Sequence, residues 1–308
     1  MLDPETFLVE LYVLADEFCK DALCLVRSHG PAAALAPAEI VTLALFSQWQ
    51  EFPSEAAFYR WASKHLRPLF PTLPSRPQFN RQVRQATAAI TGFALHLGHG
   101  LASVEGAYEV IDGTGLRVRN VKRRGAGWLA GLADIGTCSR LGWYEGMRLL
   151  VSVTPHGAVT GWGIGPASTH DRVLAETFFA ARQTPQARLP GVGQPVSDCY
   201  VADMGFSGAA CTSRWQHGYG AVVVCPPQTG SRQAWPKPLK RWLAGIRQVI
   251  ESVNDRLLTT CGLDAERPHT LDGLQARLAA TIGLHNVCLW LNGTHGRPNL
   301  AFADLIDW

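Results

Sequence analysis

The spacing of apolar residues changes character near Val104, and that change limits the fold more than any other feature of the chain. Before it, hydrophobic residues recur at helical intervals. Phe7, Leu8, Leu11, Leu14, Phe18 and Leu23 predict a helix or helix pair over 3–28, broken at Gly30-Pro31. Pro37 opens a second helix carrying Ile40, Leu43, Leu45, Phe46 and Trp49, and Ser54-Glu55 opens a third through Phe58, Trp61 and Leu66. Pro68, Pro71, Pro74 and Pro77 punctuate a linker, and a further helix is expected over 78–96. The first hundred or so residues therefore read as an all-helical module.

After Val104 the signals are those of strands. Tyr108–Asp112 is a short β-branched run, and Gly113-Thr114-Gly115 predicts either a sharp bend or a close approach to the backbone. Leu116–Val121 alternates apolar and polar residues, and Arg148–Thr154 and Val159–Ile164 flank a hairpin turn at His156-Gly157. A helix from Asp171 to Arg182, a strand ending at Asp203, a helix over 208–217 and an apolar strand over 220–225 follow. Helices over 239–261 and 271–291 close the chain. Antiparallel hairpins followed by alternating β and α segments describe an α/β mixed sheet flanked by helices, which is the order of the ribonuclease-H-like fold. The expected domains are a helical one over 1–103 and a sheet domain with C-terminal helices over 104–308.

Composition restricts the partners. Hydrophobic residues make up 47% of the chain, enough for a large core, and the net charge is only +3. The distribution says more. Residues 1–55 hold two basic and nine acidic side chains, a balance of −7, whereas residues 56–104 hold Arg60, Lys64, Arg67, Arg76, Arg81 and Arg84 with no acid, a balance of +6. Such a block suits a polyanion contact or a solvated helical face. Arg117, Arg119, Lys122, Arg123 and Arg124 form a second basic cluster, and Lys237, Lys240 and Arg241 a third. The eight cysteines show no paired spacing, so neither a zinc site nor a disulfide framework is expected. No basic leader and no membrane-length apolar run is read, so a cytoplasmic location without membrane contact is expected.

Asp112 and Asp203 each close an expected strand and are each followed closely by glycine. In α/β sheets, groups at strand ends share one edge, where ligands collect. Glu251 sits mid-helix, four residues after Arg247, with Asn254 and Asp255 continuing the same face. Three carboxylates from two strands and a helix can hold two Mg²⁺ ions for phosphoryl transfer, and all-oxygen donors favour Mg²⁺ or Mn²⁺ over zinc. Spacing alone is equally compatible with two turn aspartates and a surface glutamate paired to Arg247.

Several motifs carry a resemblance. Val110-Ile111-Asp112-Gly113-Thr114, Tyr144-Glu145-Gly146-Met147-Arg148-Leu149, Ala167-Ser168-Thr169-His170-Asp171, Ala202-Asp203-Met204-Gly205-Phe206 and the run from Arg247 to Leu257 occur in that order. Together they resemble bacterial insertion-sequence DDE transposases, and Leu35–Phe79 is similar to the N-terminal region of those proteins. The resemblance spans about residues 35 to 292. It implies that Asp112, Asp203 and Glu251 bind Mg²⁺, with Mn²⁺ as the alternative, and that Arg247 orients Glu251 or binds a phosphate. It departs from the pattern at Ala244, where many relatives carry an aromatic residue, and at Leu258, where many carry a basic one. It further implies double-stranded DNA as partner, cleavage of element ends, joining of 3′ ends to target DNA, a homodimer in the DNA complex, and a place near the bacterial nucleoid. The DNA contacts expected are Arg60, Lys64, Arg67, Arg76, Arg81, Arg84, Lys122, Arg123, Arg124, Lys237, Lys240 and Arg241. A nuclease of the same fold that does not join strands, and a catalytically silent DNA-binding relative, are the alternative readings.

Overall fold

A computed structural model describes residues 1–23, 34–102, 107–119, 129, 131–183, 191–228, 230, 234–264 and 270–308. Five helices come first: α1 (Pro4–Leu23), α2 (Pro37–Phe46), α3 (Glu55–His65), α4 (Arg76–Gln85) and α5 (Thr87–Ala102). Their starts follow from local chemistry. Asp3 Oδ1 accepts from the Glu5 and Thr6 amides at 3.0 and 2.9 Å, and Ser54 Oγ accepts from Ala57 N at 3.1 Å. Gln78 Oε1 accepts from Ser75 N at 3.2 Å, with Pro77 just inside α4. Pro77 therefore begins a helix rather than ending a linker, and the expected helix over 78–96 is two helices that part at Ala86.

Contacts divide the chain into a helical unit, Met1–Leu97 with Arg256–Glu266 and Thr270–Trp308, and a sheet unit, Gly98–Asp255 with Arg267–His269. This differs from a boundary near 103 with all C-terminal helices on the sheet. The reason lies in α9 (Leu271–Thr294), which is buried on nearly every side between Leu274 and Asn292 and packs on α2 and α4. α2 is likewise buried from Ile40 to Phe46, so two all-round apolar helices cover each other. Asn286 of α9 also donates to Ala94 O of α5 at 2.9 Å. Phe7, Phe46, Trp49, Phe52, Trp61 and Trp308 form an aromatic cluster in the same unit.

The sheet unit holds β1 (Glu109–Arg119), β2 (Asp134–Cys138), β3 (Gly142–Val153), β4 (Val159–Pro166), α6 (Asp171–Gln183), β5 (Cys199–Val201), α7 (Ala209–Tyr219), β6 (Val222–Val224) and α8 (Lys237–Asp255). The strand order is β2-β3-β1-β5-β6, with β4 also paired to β3. β1 is antiparallel to β3 and parallel to β5, so the sheet is mixed. This is a ribonuclease-H-like domain preceded by an all-helical region, α1–α5. β2 has no counterpart in the sequence reading.

One correction concerns the centre of the sheet. The chain does not end a strand at Asp112 and turn on its glycines. β1 is continuous, and Val110 through Arg117 pair residue by residue with β3. The glycines serve the close approach instead. A Cβ on Gly113 would overlap Asp171 Oδ1, and one on Gly115 would stand 2.7 Å from the Tyr144 ring. Ile111 faces a core made by Leu150, Leu174, Phe178, Phe179 and Trp215 beneath α6 and α7, while α8 packs against β1 and β5.

Candidate active site

β5 pairs with β1 only at Tyr200 opposite Glu109 and Val201 opposite Val110. β1 therefore runs on beyond the end of β5. Carried forward in that register, Asp112 comes level with Asp203, which has left the strand. Asp203 is held by a local bond: its Oδ1 accepts from Gly205 N at 2.7 Å, opening the 3₁₀ turn Met204–Phe206. The two aspartates thus share the carboxyl-end edge of the parallel strands, where α/β sheets collect ligands.

α8 approaches Asp112 with two residues spaced seven apart, and so on one side of the helix. Arg247 Nη2 donates to Asp112 Oδ1 at 3.4 Å, and Asn254 Nδ2 donates to Asp112 Oδ2 at 3.3 Å. Arg247, expected to orient Glu251 or bind phosphate, thus faces the first aspartate. Glu251 lies between them on α8 and is exposed.

Burial lifts Asp112 from 3.8 to about 7; Arg247 opposes the rise, and Asp203 and Asp171 add to it. Asp171, at the first turn of α6, is gripped by Arg148, whose Nε and Nη2 donate to its two oxygens at 2.7 and 2.6 Å. Asp171, Arg148 and Asn254 were not singled out from sequence. The signal for the first two was present: both stand inside motifs that carry the resemblance. For Asn254 it was only its place on the Arg247 face.

A cleft of about 390 Å³ opens beside Asp203, lined also by Met204, Pro226, Lys240 and Arg247. It brings two cationic side chains, Lys240 and Arg247, to the same cleft as the Asp203 carboxylate, and such cations suit a phosphodiester. Lys237, Lys240 and Arg241 are exposed in the first turns of α8, as are Arg60, Lys64, Arg67, Arg76, Arg81 and Arg84 in the helical unit. Lys122, Arg123 and Arg124 lie outside the described residues.

The family described as Transposase DDE domain matches residues 110–287, more than half of the chain. The chain belongs to the DDE transposase family. Comparison with curated proteins and with solved structures gave no match.

Whether these residues suit a divalent metal can be tested on the transposase fold itself. Asp112 is a desolvated carboxyl group whose acidic neighbours outnumber its one charged donor, Arg247. Such a place is short of positive charge and offers only oxygen donors, which fits Mg²⁺ or Mn²⁺. Among the described residues, no three His, Cys, Asp or Glu side chains gather closely enough to hold an ion. Asp112 and Asp203 offer the carboxylate oxygens such an ion takes, while Glu251 is exposed on α8.

Proposed function

We propose that the protein is a Mg²⁺-dependent transposase of an insertion sequence, which cuts the ends of its element and joins the 3′ ends to target DNA. One observation carries this reading: Arg247 donates to Asp112 and lines, with Lys240, the same cleft as Asp203. Divalent-metal use is typical of the family. Asp112, Asp203 and Glu251 are the residues that would hold the metal, with Mn²⁺ as an alternative ion. When bound, the metal supplies the charge that activates an attacking oxygen and stabilises the leaving one.

The chain's own residues supply the rest. Arg247 and Lys240 bind phosphate oxygens in the cleft, and Asp203 is kept in place by Gly205. The exposed cations of residues 60–84 grip double-stranded DNA as part of a helical DNA-binding region, with Lys122, Arg123, Arg124, Lys237 and Arg241 as further contacts. Two element ends require two active sites, so a homodimer forms on DNA. No described helix is long and apolar enough to cross a membrane, and we place the protein in the bacterial cytoplasm, at the nucleoid.

The test is a strand-transfer assay with end-containing duplex DNA and Mg²⁺. Asp112→Asn, Asp203→Asn and Glu251→Gln are each expected to lower joining by at least about a hundredfold. Full activity in all three overturns the assignment, and cut but unjoined product identifies a nuclease instead.

A further inference from the structure

We propose that Asn254 is a direct ligand of the divalent ion held at Asp112, through its side-chain amide oxygen. The inference rests on the metal-dependent reading above but adds a residue to it. Three observations lead there.

Asn254 is only 8% exposed, yet its Oδ1 has no hydrogen-bond partner among the described residues. A buried acceptor left in this state is unfavourable. Groups of this kind persist where another partner is meant to arrive. Arg247 Nε on the same face of α8 is also buried without a partner.

The bonds that Asn254 and Arg247 make to Asp112, 3.3 and 3.4 Å, lie beyond the usual range for nitrogen donors. Asp112 is therefore flanked by donors but not clasped by them.

Among the described residues, no hydrogen bond to Oδ1 on the far side of the amide holds its orientation. Rotation by half a turn about the terminal side-chain bond exchanges oxygen and nitrogen. Oδ1 then occupies the place of Nδ2, 3.3 Å from Asp112 Oδ2. Two oxygens facing each other there repel unless a cation lies between them. Neighbouring oxygens around an octahedral Mg²⁺ with bonds of 2.0–2.1 Å are roughly 2.9 Å apart, and those around the slightly larger Mn²⁺ are further apart. The Asp112–Asn254 gap closes to that spacing with a small side-chain shift. In the metal-free protein the amide presents N–H to the carboxylate; with the ion it presents oxygen.

The experiment is calorimetric titration of the full chain with Mn²⁺, without DNA, comparing wild type with Asn254→Leu and Asn254→Asp, with circular dichroism to check folding. Asn254→Leu is expected to weaken Mn²⁺ binding at least about tenfold. Asn254→Asp, which loses the N–H but keeps an oxygen, is expected to bind Mn²⁺ as tightly as wild type or more so. Unchanged affinity in Asn254→Leu overturns the proposal. So does equal weakening in both variants, which is the signature of an N–H that merely steadies Asp112. If Asn254→Leu is misfolded, the Asn254→Asp result decides alone. Absence of saturable Mn²⁺ binding by wild type instead sinks the metal reading, and this inference with it.

Discussion

Glu109 and Asp112, three residues apart on β1, project to opposite faces of the sheet and meet opposite treatment. Glu109 is wholly buried and fully compensated: Arg182 Nη1 donates to its Oε2 at 2.6 Å, and Ser152 and Thr160 hydroxyls donate to Oε1. Arg182 is itself locked by Tyr200 Oη at 2.9 Å, by Val192 O at 3.2 Å and by the Phe178 ring, 4.3 Å from its guanidinium carbon. The side chains that donate to Asp112 among the described residues, Arg247 and Asn254, do so at the longer distances of 3.4 and 3.3 Å. One strand thus carries a carboxylate whose charge is closely paired within the fold and another whose ion pair with Arg247 is longer, at 3.4 Å.

Breaking the closer pair should be costly. Arg182→Met leaves the Glu109 carboxylate buried without a counter-charge, for which about 3–5 kcal/mol is expected. Urea denaturation measures it. Adding Glu109→Gln to Arg182→Met should return part of the loss, because no buried charge then remains. A loss below about 1 kcal/mol in the single variant would mean that the pair is solvated.

Asp112 should make the metal-free protein pH-sensitive. Its folded value, about 7, lies above its ordinary 3.8, so ionising it works against the fold. The corresponding stability is fully present below about pH 4 and is lost as pH rises through 7. Asp112→Asn removes this dependence. In EDTA the variant and wild type should unfold alike near pH 3.5, whereas at pH 8 the variant should be more stable, by on the order of 2–4 kcal/mol. Equal melting temperatures at pH 8 would show that Asp112 is not desolvated.

Gly113 and Asp171 should be energetically coupled. An added methyl at Gly113 overlaps the Asp171 carboxylate that Arg148 holds, so Gly113→Ala should cost about 1–3 kcal/mol. Asp171→Ser clears that space. The double variant should therefore be less unstable than the two single losses together. Additivity within about 0.5 kcal/mol would place the strain elsewhere.

These residues also mark how far the sequence could be read. Ser54 as a helix cap, the His156-Gly157 turn and the α6 start at Asp171 follow from chemistry within a few positions, and each stands where expected. Gly113 and Gly115 left a bend and a close approach both open, and the structure takes the close approach. The groups that approach are Asp171 and the Tyr144 ring, invisible in a local window. α9 was legible as a helix over 271–291, but its burial on nearly every side appears only in the structure. That α2 is its partner depends on contacts across more than two hundred residues. At the candidate site, Asp112 and Asp203 came from local pattern plus motif order. The Arg247 and Asn254 contacts to Asp112 depend on how α8 is rotated against β1, which one sequence does not reveal.

The basic block of residues 56–104 makes a prediction that separates DNA grip from mere solvation. Arg76, Arg81 and Arg84 are exposed on or beside α4, so neutralising them should barely change folding stability. Each one that neutralises a phosphate releases counterions, and the logarithm of DNA affinity then falls with the logarithm of salt by about 0.9 per contact. Replacing all three with glutamine should reduce that slope by about 2–3 and weaken binding most at low salt. Measuring duplex binding by fluorescence anisotropy across a range of salt concentrations checks both. The same substitution set on Lys237, Lys240 and Arg241 gives an internal comparison, since those side chains stand in the first turns of α8 and Lys240 lines the cleft of the sheet unit. An unchanged slope in the α4 variant, with an altered one in the α8 variant, would move the DNA grip from the helical unit to the catalytic one.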